Sequence, residues 1–404
     1  MTDARHPAET SPGVTGGSFA VVALAFAVTM LGATLPTPMY SFWQKDFGFE
    51  VATVTVIFAM YAVGVLAALV VTGPWSDAVG RRPLLLAGLG LSLLSDVVFL
   101  LAGATWVLLL GRLVSGLSAG VYVGSGTAAV LEQAPERWKG RAPLVATVAN
   151  IGGLGVGPVV AAGLISLFAW PTGLSFAVHV VATLVLLALT WRVPETVRPE
   201  PGARLRVQRP IVPSDARSTF VAASIVGFAG FAVLGLMTAV SPKLVAQAVP
   251  GAGPLLSVSV VGALMLASVL AQVLLTAVPV DTAANLGCAL LAVGTVLLAV
   301  ALARDALPLM LLAAVVSGAG QGLSFSKGLA AVLGKVDGAQ RAATMSAFFV
   351  VAYVAISLPV VGDGLASQRW GVQPAGVAFS VAVAVLAVVA LVALVVDQRR
   401  TRAA

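Results

Sequence analysis

The chain has 404 residues, of which 59% are hydrophobic and only 10% are charged. A soluble fold cannot hide that much apolar surface, so lipid must be the solvent for most of the chain. The single cysteine rules out a disulfide within the chain, and two histidines are too few for a metal site built on His or Cys. We therefore expect an integral membrane protein without metal or cofactor.

Twelve apolar runs of about 20 residues predict twelve membrane-spanning helices. They lie at residues 19–40, 53–73, 83–103, 106–131, 142–165, 173–191, 219–240, 254–278, 283–302, 306–332, 340–361 and 372–396. The fold class is therefore an all-α integral membrane protein. Its predicted parts are an N-terminal tail (1–18), six helices (19–191), a basic linker (192–218), six further helices (219–396) and a C-terminal tail (397–404).

Basic residues concentrate on one side of the predicted helices, and the net charge is +7. The loops on the other side hold only Lys45, Lys243, Arg304 and Arg369. By the positive-inside rule this asymmetry places both termini in the cytoplasm. We expect a multi-pass protein of a bacterial cytoplasmic membrane. The same asymmetry explains the basic composition without nucleic acid as a partner. The linker either lies on anionic lipid or is an ordinary solvated connection.

A short polar hinge, GPWSDAVGRRP, joins the second and third predicted helices at Gly73–Pro83. Its glycines supply the backbone freedom that a tight hairpin needs. The pattern G-x-x-x-D-x-x-G-R-R-P resembles the signature loop of the major facilitator superfamily, although Ala78 stands where that family usually has a basic residue. The matching positions are Gly73, Asp77, Gly80, Arg81 and Arg82. The resemblance implies two pseudo-symmetric six-helix halves with a substrate site between them.

Two further features agree with that resemblance. The sequence Ser115–Gly120 in helix four reappears as Ser317–Gly322 in helix ten, about half the chain length further on. Glu132 ends helix four, where the family arrangement brings it close to Arg81 or Arg82. The resemblance implies that these groups, with Asp77, fasten the cytoplasmic ends while the protein is open outward. The alternative is a set of ordinary surface ion pairs, each worth under about 1 kcal/mol.

Arg112 is the most unusual residue in the predicted membrane region, because a guanidinium is costly there unless it faces a cavity or a partner. Its surroundings, L-x-x-G-R-L-V-S-G, resemble the superfamily's helix-four motif, whose arginine is associated with proton or substrate coupling. Asp96 of helix three lies at about the same depth, and we expect the two to pair. That pair is either structural or titrating. In the second case a proton on Asp96 would release Arg112.

Helix five contains Gly153, Gly157 and Pro158 in the order G-x-x-x-G-P. This resembles a motif that the superfamily associates with exporters of the antiporter type, with Ala161 and Ala162 in place of its last glycines. The resemblance implies export. The simpler interpretation is a close packing seam between helices, bent by the proline.

The family arrangement implies a cavity between the halves. Candidate lining residues, each an aromatic or amide able to hold an amphipathic ligand, are Tyr61, Asn150, Gln272, Gln321, Phe349 and Tyr353. Each of them is also a plausible interhelical hydrogen bonder. His179 of helix six is expected to be a packing residue.

We therefore predict a monomeric secondary transporter whose partners are a small-molecule substrate, protons and membrane lipid. It would export a small amphipathic drug or metabolite by proton antiport with alternating access. An importer or facilitator of a sugar or organic acid is the alternative, because Phe19–Tyr40 in helix one has no acidic residue. An enzyme is excluded by the lack of a clustered nucleophile, metal-ligand set or paired carboxylates in the sequence.

Overall fold

A computed structural model of the chain describes residues 15–197 and 211–403. The first 14 residues of the predicted N-terminal tail and residues 198–210 of the predicted linker lie outside the described residues. The side chain of Asp77, and with it that part of the predicted charge cluster, is also not described.

Within those ranges the chain forms twelve long helices, with short 3-10 and π turns inside some of them. They are α1 (Gly16–Phe47), α2 (Val51–Val79), α3 (Arg81–Leu100), α4 (Thr105–Glu132), α5 (Glu136–Leu167), α6 (Leu174–Thr190), α7 (Ser214–Ala248), α8 (Pro254–Leu274), α9 (Val280–Ala303), α10 (Leu307–Leu333), α11 (Gly338–Trp370) and α12 (Val372–Ala403). Eleven of them are long and apolar enough to cross a membrane, and α6 is slightly shorter. The all-α membrane architecture predicted from the sequence is confirmed.

Helix α1 is broken near its middle. Its first segment ends at Thr34, and a 3-10 turn at Thr37–Met39 leads into a second segment at Tyr40–Phe47. Pro36 and Pro38 account for the break, because proline cannot donate the backbone hydrogen bonds that a continuous helix requires. The carbonyl groups at the end of the first segment therefore need partners from elsewhere.

The turn between α2 and α3 is much tighter than the predicted hinge. Helix α2 continues through Gly73 to Val79, and α3 begins at Arg81. Only Gly80 lies between them, with φ +108°, a backbone conformation that side chains disfavour. The predicted role of Gly73 in the turn is therefore wrong, because a helix can continue past its apolar stretch into a polar segment.

Helices α7 and α11 are also longer than predicted. Helix α7 continues past Pro242 to Ala248, and α11 continues past Pro359 to Trp370. The extension of α11 brings Asp363 into a membrane-spanning segment, with 4% of its surface exposed. Asp363 is therefore a second carboxylate deep inside a helix besides Asp96, and the predicted end of this helix at residue 361 does not include it.

The repeated glycine sequences pack alike in the two groups of helices. A β-carbon on Gly116 of α4 would lie 2.1 Å from the carbonyl oxygen of Tyr61 in α2. A β-carbon on Gly318 of α10 would lie 2.1 Å from the carbonyl oxygen of Leu264 in α8. Glycine therefore allows the same backbone approach in both pairs, as small residues do in membrane helices.

The two groups of helices meet along α2–α11 and α5–α8. We call the end of the bundle that carries Arg81, Arg82 and Lys335 the basic end, and the other the opposite end. At the opposite end Gln368 of α11 donates a hydrogen bond of 2.7 Å to Glu50, which directly precedes α2. A β-carbon on Gly364 would lie 2.3 Å from Thr55 Oγ1. Helices α2 and α11 are therefore closed against each other at the opposite end.

Candidate functional site

A cluster of polar side chains at the basic end joins α3, α4 and the segment after α6. Arg81 binds the Glu132 carboxylate at 2.9 Å, and the Thr196 hydroxyl donates to the same carboxylate at 2.5 Å. The contact between Arg81 and Glu132 is as the sequence predicts. Its role in gating stays a prediction.

Glu195 completes this cluster and was missed as a functional residue from the sequence. Its two carboxylate oxygens accept hydrogen bonds of 2.8 and 2.9 Å from the backbone N–H groups of Arg81 and Arg82. These are the unsatisfied donors at the start of α3, where a negative charge is stabilising. A β-carbon on Gly80 would lie 2.6 Å from this carboxylate, so the glycine also makes room for it. The sequence R-V-P-E-T at Arg192–Thr196 contains Glu195 and was the signal in the sequence that could have identified it.

Arg112 is buried, with 1% of its surface exposed, and caps the broken end of α1. One of its terminal nitrogens donates a hydrogen bond to the Ala33 carbonyl, which the break at Pro36 leaves near the end of a helical segment. Its guanidinium also lies 5.3 Å from the ring centroid of Phe58 and 4.9 Å from that of Tyr61. These contacts with a helix C-terminus and two π faces favour a cation.

Asp96 does not pair with Arg112, and this prediction is wrong. Its Oδ2 lies 2.7 Å from Nδ1 of His179 in α6, and both side chains are buried. His179 Nε2 lies 2.9 Å from the Val28 carbonyl oxygen of α1. The pair thus joins α1, α3 and α6, and His179 is more than a packing residue.

The depth argument that suggested the Asp96–Arg112 pair is sound, but the side chains point in different directions. Ser95 donates a hydrogen bond of 3.0 Å to the Gly111 carbonyl, so α3 and α4 face each other at the residues just before. Successive residues of a helix are about 100° apart, and the next residue on each helix therefore turns away from that contact. Asp96 turns towards α6, and Arg112 turns towards α1 and α2.

A glycine of α1 makes room for the imidazole ring. A β-carbon on Gly32 would lie 2.3 Å from Cε1 and 2.6 Å from Nε2 of His179. Any larger residue at this position would displace the ring from Asp96 and Val28.

Asp363 of α11 differs from Asp96, because it is buried without a partner in the part of the chain that the structure describes. Neither of its carboxylate oxygens has a hydrogen-bond partner among the described residues. It lies one turn beyond Val360, which packs against Gly235 of α7. A carboxylate without a partner costs free energy in a membrane segment, and we therefore regard Asp363 as a candidate functional group.

The helix-five motif packs directly against α1. A β-carbon on Gly153 would lie 2.4 Å from the Ala27 carbonyl oxygen, and one on Gly157 would lie 2.2 Å from Thr34 Oγ1. Thr34 in turn donates a hydrogen bond of 2.8 Å to the carbonyl of Leu154. Pro158 lies inside the helix one position after Gly157. This seam is close packing, and its relation to transport direction stays a prediction.

Three of the candidate lining residues form a row of aromatic rings that crosses between the two groups of helices. Tyr61 of α2 lies 6.4 Å from Tyr353 of α11, and Tyr353 lies 6.4 Å from Phe349. The row continues to Phe325 of α10 and Phe231 of α7 at centroid distances of 5.8 and 4.8 Å. Its first ring, Tyr61, also contacts the Arg112 guanidinium.

The remaining three candidates are amides. Gln321 of α10 accepts a hydrogen bond of 2.8 Å from Ser268 and so ties α10 to α8, while Gln272 donates to the same hydroxyl at 3.3 Å within α8. Asn150 is half-buried in a π turn of α5, at Val148–Gly152, a local distortion that is common at functional sites. Three of the six candidates therefore share the aromatic row, and two of the amides share the Ser268 hydroxyl.

A cavity of about 590 Å³ opens at the opposite end, between α1 and α2 on one side and α7 and α8 on the other. Tyr40, Lys45 and Lys243 are among its lining residues. Both lysines are exposed, so this cavity is an entrance at the surface and not an enclosed site.

The family model described as Major Facilitator Superfamily matches residues 22–358. The chain is 34% identical over 137 residues to the tetracycline resistance protein, class E, of Escherichia coli, a match that covers 33% of each protein. It is 30% identical over 174 residues to the chloramphenicol resistance protein CraA of Acinetobacter baumannii, covering 43% of this chain and 40% of that protein. The chain thus matches less than half the length of these curated relatives.

The architecture is also that of a solved transporter. The structure of the nucleoside transporter NupG aligns with a TM-score of 0.73 and 12% sequence identity, covering 94% of this chain and 100% of that one. At this identity the likeness shows the fold alone.

Proposed function

The chain belongs to the Major Facilitator Superfamily and is a multi-pass membrane transporter, and we propose that it exports a small amphipathic compound in exchange for protons. The observation that carries this proposal is the aromatic row from Tyr61 to Phe231, which begins in α2 beside a buried cation and runs into the last six helices. Aromatic faces and a few polar groups suit ligands that are largely apolar. The basic end would then be cytoplasmic.

Similarity to proteins named for tetracycline and chloramphenicol resistance supports export of a drug or metabolite. The resemblance of Gly153–Pro158 to the exporter motif points the same way. Proton coupling is supported by Asp96, because an ionisable group buried in a membrane segment is retained at a cost and usually serves transport. Arg112 would hold α1 in place during the cycle.

In this proposal the contact between α2 and α11 at the opposite end closes the external side of the pathway. The cluster of Arg81, Glu132 and Glu195 would fasten the cytoplasmic ends of the first six helices. Substrate would then be released through the entrance beside Lys45 and Lys243 when the external contact opens. No second protein is needed, and a monomer would suffice.

Everted membrane vesicles that contain the protein and hold an acid interior test this function. We expect tetracycline or chloramphenicol to discharge the pH gradient, because drug entry would be exchanged for protons that leave. Vesicles from cells without the protein are the control for leakage. A sugar should have no effect.

An importer of a nutrient remains the second candidate, favoured by the lack of an acidic residue in Phe19–Tyr40 of α1. It predicts that neither drug discharges the gradient and that a sugar or organic acid moves across the same vesicles. That result would overturn the export proposal.

A further inference from the structure

The geometry of the Asp96–His179 pair determines how many protons the pair holds. His179 Nε2 faces the Val28 carbonyl oxygen at 2.9 Å, and a carbonyl can only accept, so Nε2 carries a hydrogen. Nδ1 and Asp96 Oδ2 are 2.7 Å apart, and one proton must lie between them. Either Nδ1–H donates to the carboxylate, or the carboxylic acid donates to Nδ1. Both arrangements have the same proton count and no net charge.

We propose that this shared proton is the coupling ion of the transporter and that its binding fastens α1 to α3 and α6. The proposal rests on the proton-coupled export put forward above and names the site at which that proton binds.

Loss of the proton breaks one of the two contacts. If Nε2 keeps its hydrogen, a lone pair on Nδ1 faces a carboxylate oxygen at hydrogen-bond distance, and the two acceptors repel. If the hydrogen moves to Nδ1, the Asp96 contact is kept, but Nε2 then faces the Val28 carbonyl without a hydrogen. In the first case α1 stays bound to α6 but loses its link to α3. In the second case α1 is released from the pair. In both cases the site carries a negative charge in an apolar region.

The contact between His179 and Val28 holds α1, the helix that is broken at Thr34. Val28 lies six residues before the break of α1 at Thr34, and Arg112 holds Ala33 at that break. The same stretch of α1 packs against Gly153 and Gly157 of α5. Release of Val28 would therefore leave the segment before the break held mainly by Arg112 and α5.

The other ionisable groups on the helices around the pair do not contact it. Helix α4 contributes Arg112, which faces Ala33 and two aromatic rings, and Tyr122, whose hydroxyl donates to the Leu85 carbonyl. Helix α1 contributes Tyr40, whose ring packs against Trp43 and whose hydroxyl has no hydrogen-bond partner among the described residues. The stretch of α5 from Ala142 to Leu167 has no titratable side chain. No other described group contacts the shared proton, so Asp96 Oδ2 and His179 Nδ1 are the two atoms that bind it.

The first test observes the proton directly. The chain has only two histidines, so the His6→Gln variant leaves His179 as the single imidazole. With ¹⁵N-labelled histidine in lipid nanodiscs, we expect both ring-nitrogen signals to change between about pH 5 and about pH 9, and the change to disappear in that range when Asp96→Asn is added. Signals that are constant over this range, or that change identically in the Asp96→Asn variant, would overturn the proposal.

The second test displaces the ring without changing either ionisable group. Gly32→Ala would place a methyl group against the imidazole, whereas the control Gly90→Ala, in α3, has no atom within 4 Å of the new carbon. In proteoliposomes we expect Gly32→Ala to reduce pH-driven tetracycline or chloramphenicol transport at least about tenfold while drug exchange without a gradient remains. Gly90→Ala should behave as wild type.

The outcomes separate the two proposals. Wild-type pH-driven transport in Gly32→Ala would overturn the role of the shared proton and leave proton-coupled export standing. If the wild-type protein moves neither drug with a pH gradient, the proposed function fails. The nitrogen spectra alone then decide whether Asp96 and His179 share an exchangeable proton.

Discussion

In the first six helices Gly116 of α4 lies against the backbone of α2, and in the last six Gly318 of α10 lies against α8 in the same way. The charges do not follow this symmetry. The first group holds the buried Arg112 and the Asp96–His179 pair. The last group holds one buried carboxylate, Asp363, with no partner among the described residues.

The basic ends differ too. Arg81 of α3 reaches across to Glu132 of α4, whereas in the last six helices Lys327 of α10 donates to the carbonyls of Thr276 and Val278, just after α8. That contact satisfies unpaired carbonyls at a helix C-terminus, where a cation is stabilising. Small residues thus duplicate the packing of the fold, while the charged groups that could drive its changes are concentrated in the first six helices.

The largest effects should come from the shared packing and should be equal in the two groups. Gly116→Val and Gly318→Val each force a side chain into a neighbouring backbone, and each should lower the free energy of unfolding by about 3 kcal/mol. Thermal unfolding in detergent measures both. Gly163→Val in α5, where the new β-carbon has no atom within 4 Å, is the control. A large difference between the first two variants would break the symmetry argument.

Arg112→Ala comes next, because it removes the cap of α1 and has no counterpart in the last six helices. Loss of this buried hydrogen bond should lower the free energy of unfolding by about 2 kcal/mol and should abolish transport. Arg112→Lys keeps the charge but not the planar fork, so it should recover only part of the stability. Full transport in the Arg112→Ala variant would show that Arg112 contributes only to packing.

Glu195→Gln should have the smallest effect. It weakens the two hydrogen bonds at the start of α3 and removes a favourable charge from a helix N-terminus, for a loss of about 1 kcal/mol. Glu136→Gln is the matched control, because Glu136 pairs only with the exposed Lys139. Equal unfolding temperatures for the two variants would contradict the capping role of Glu195.

The sequence predicts the fold well because its strongest signals, apolar runs and repeated glycines, act through length and size. It places Arg81 beside Glu132 correctly because the family arrangement implied by the resemblance of Gly73–Pro83 brings the ends of helices three and four together. Those signals carry no information on how far a helix continues beyond its apolar stretch. For this reason the sequence predicts a turn at Gly73 and ends α11 before Asp363, and the structure contradicts both predictions.

Pairing inside the membrane was harder to predict. Depth can be counted along the sequence, and Asp96 and Arg112 do lie at similar depths. Rotation about each helix depends on tertiary packing, here on the contact of Ser95 with Gly111. His179 and Gly32 lie 147 positions apart in the chain, so no local pattern links the imidazole to the space that accommodates it.

The most direct test compares the two buried carboxylates in one assay. Asp96→Asn and Asp363→Asn proteins would be reconstituted separately, and proton flux on addition of tetracycline or chloramphenicol would be followed with a pH-sensitive dye. Because the coupling proton is assigned to the first six helices, we expect Asp363→Asn to retain drug-dependent proton flux and Asp96→Asn to lose it. Flux that survives in Asp96→Asn and disappears in Asp363→Asn would place coupling in the last six helices and contradict this account.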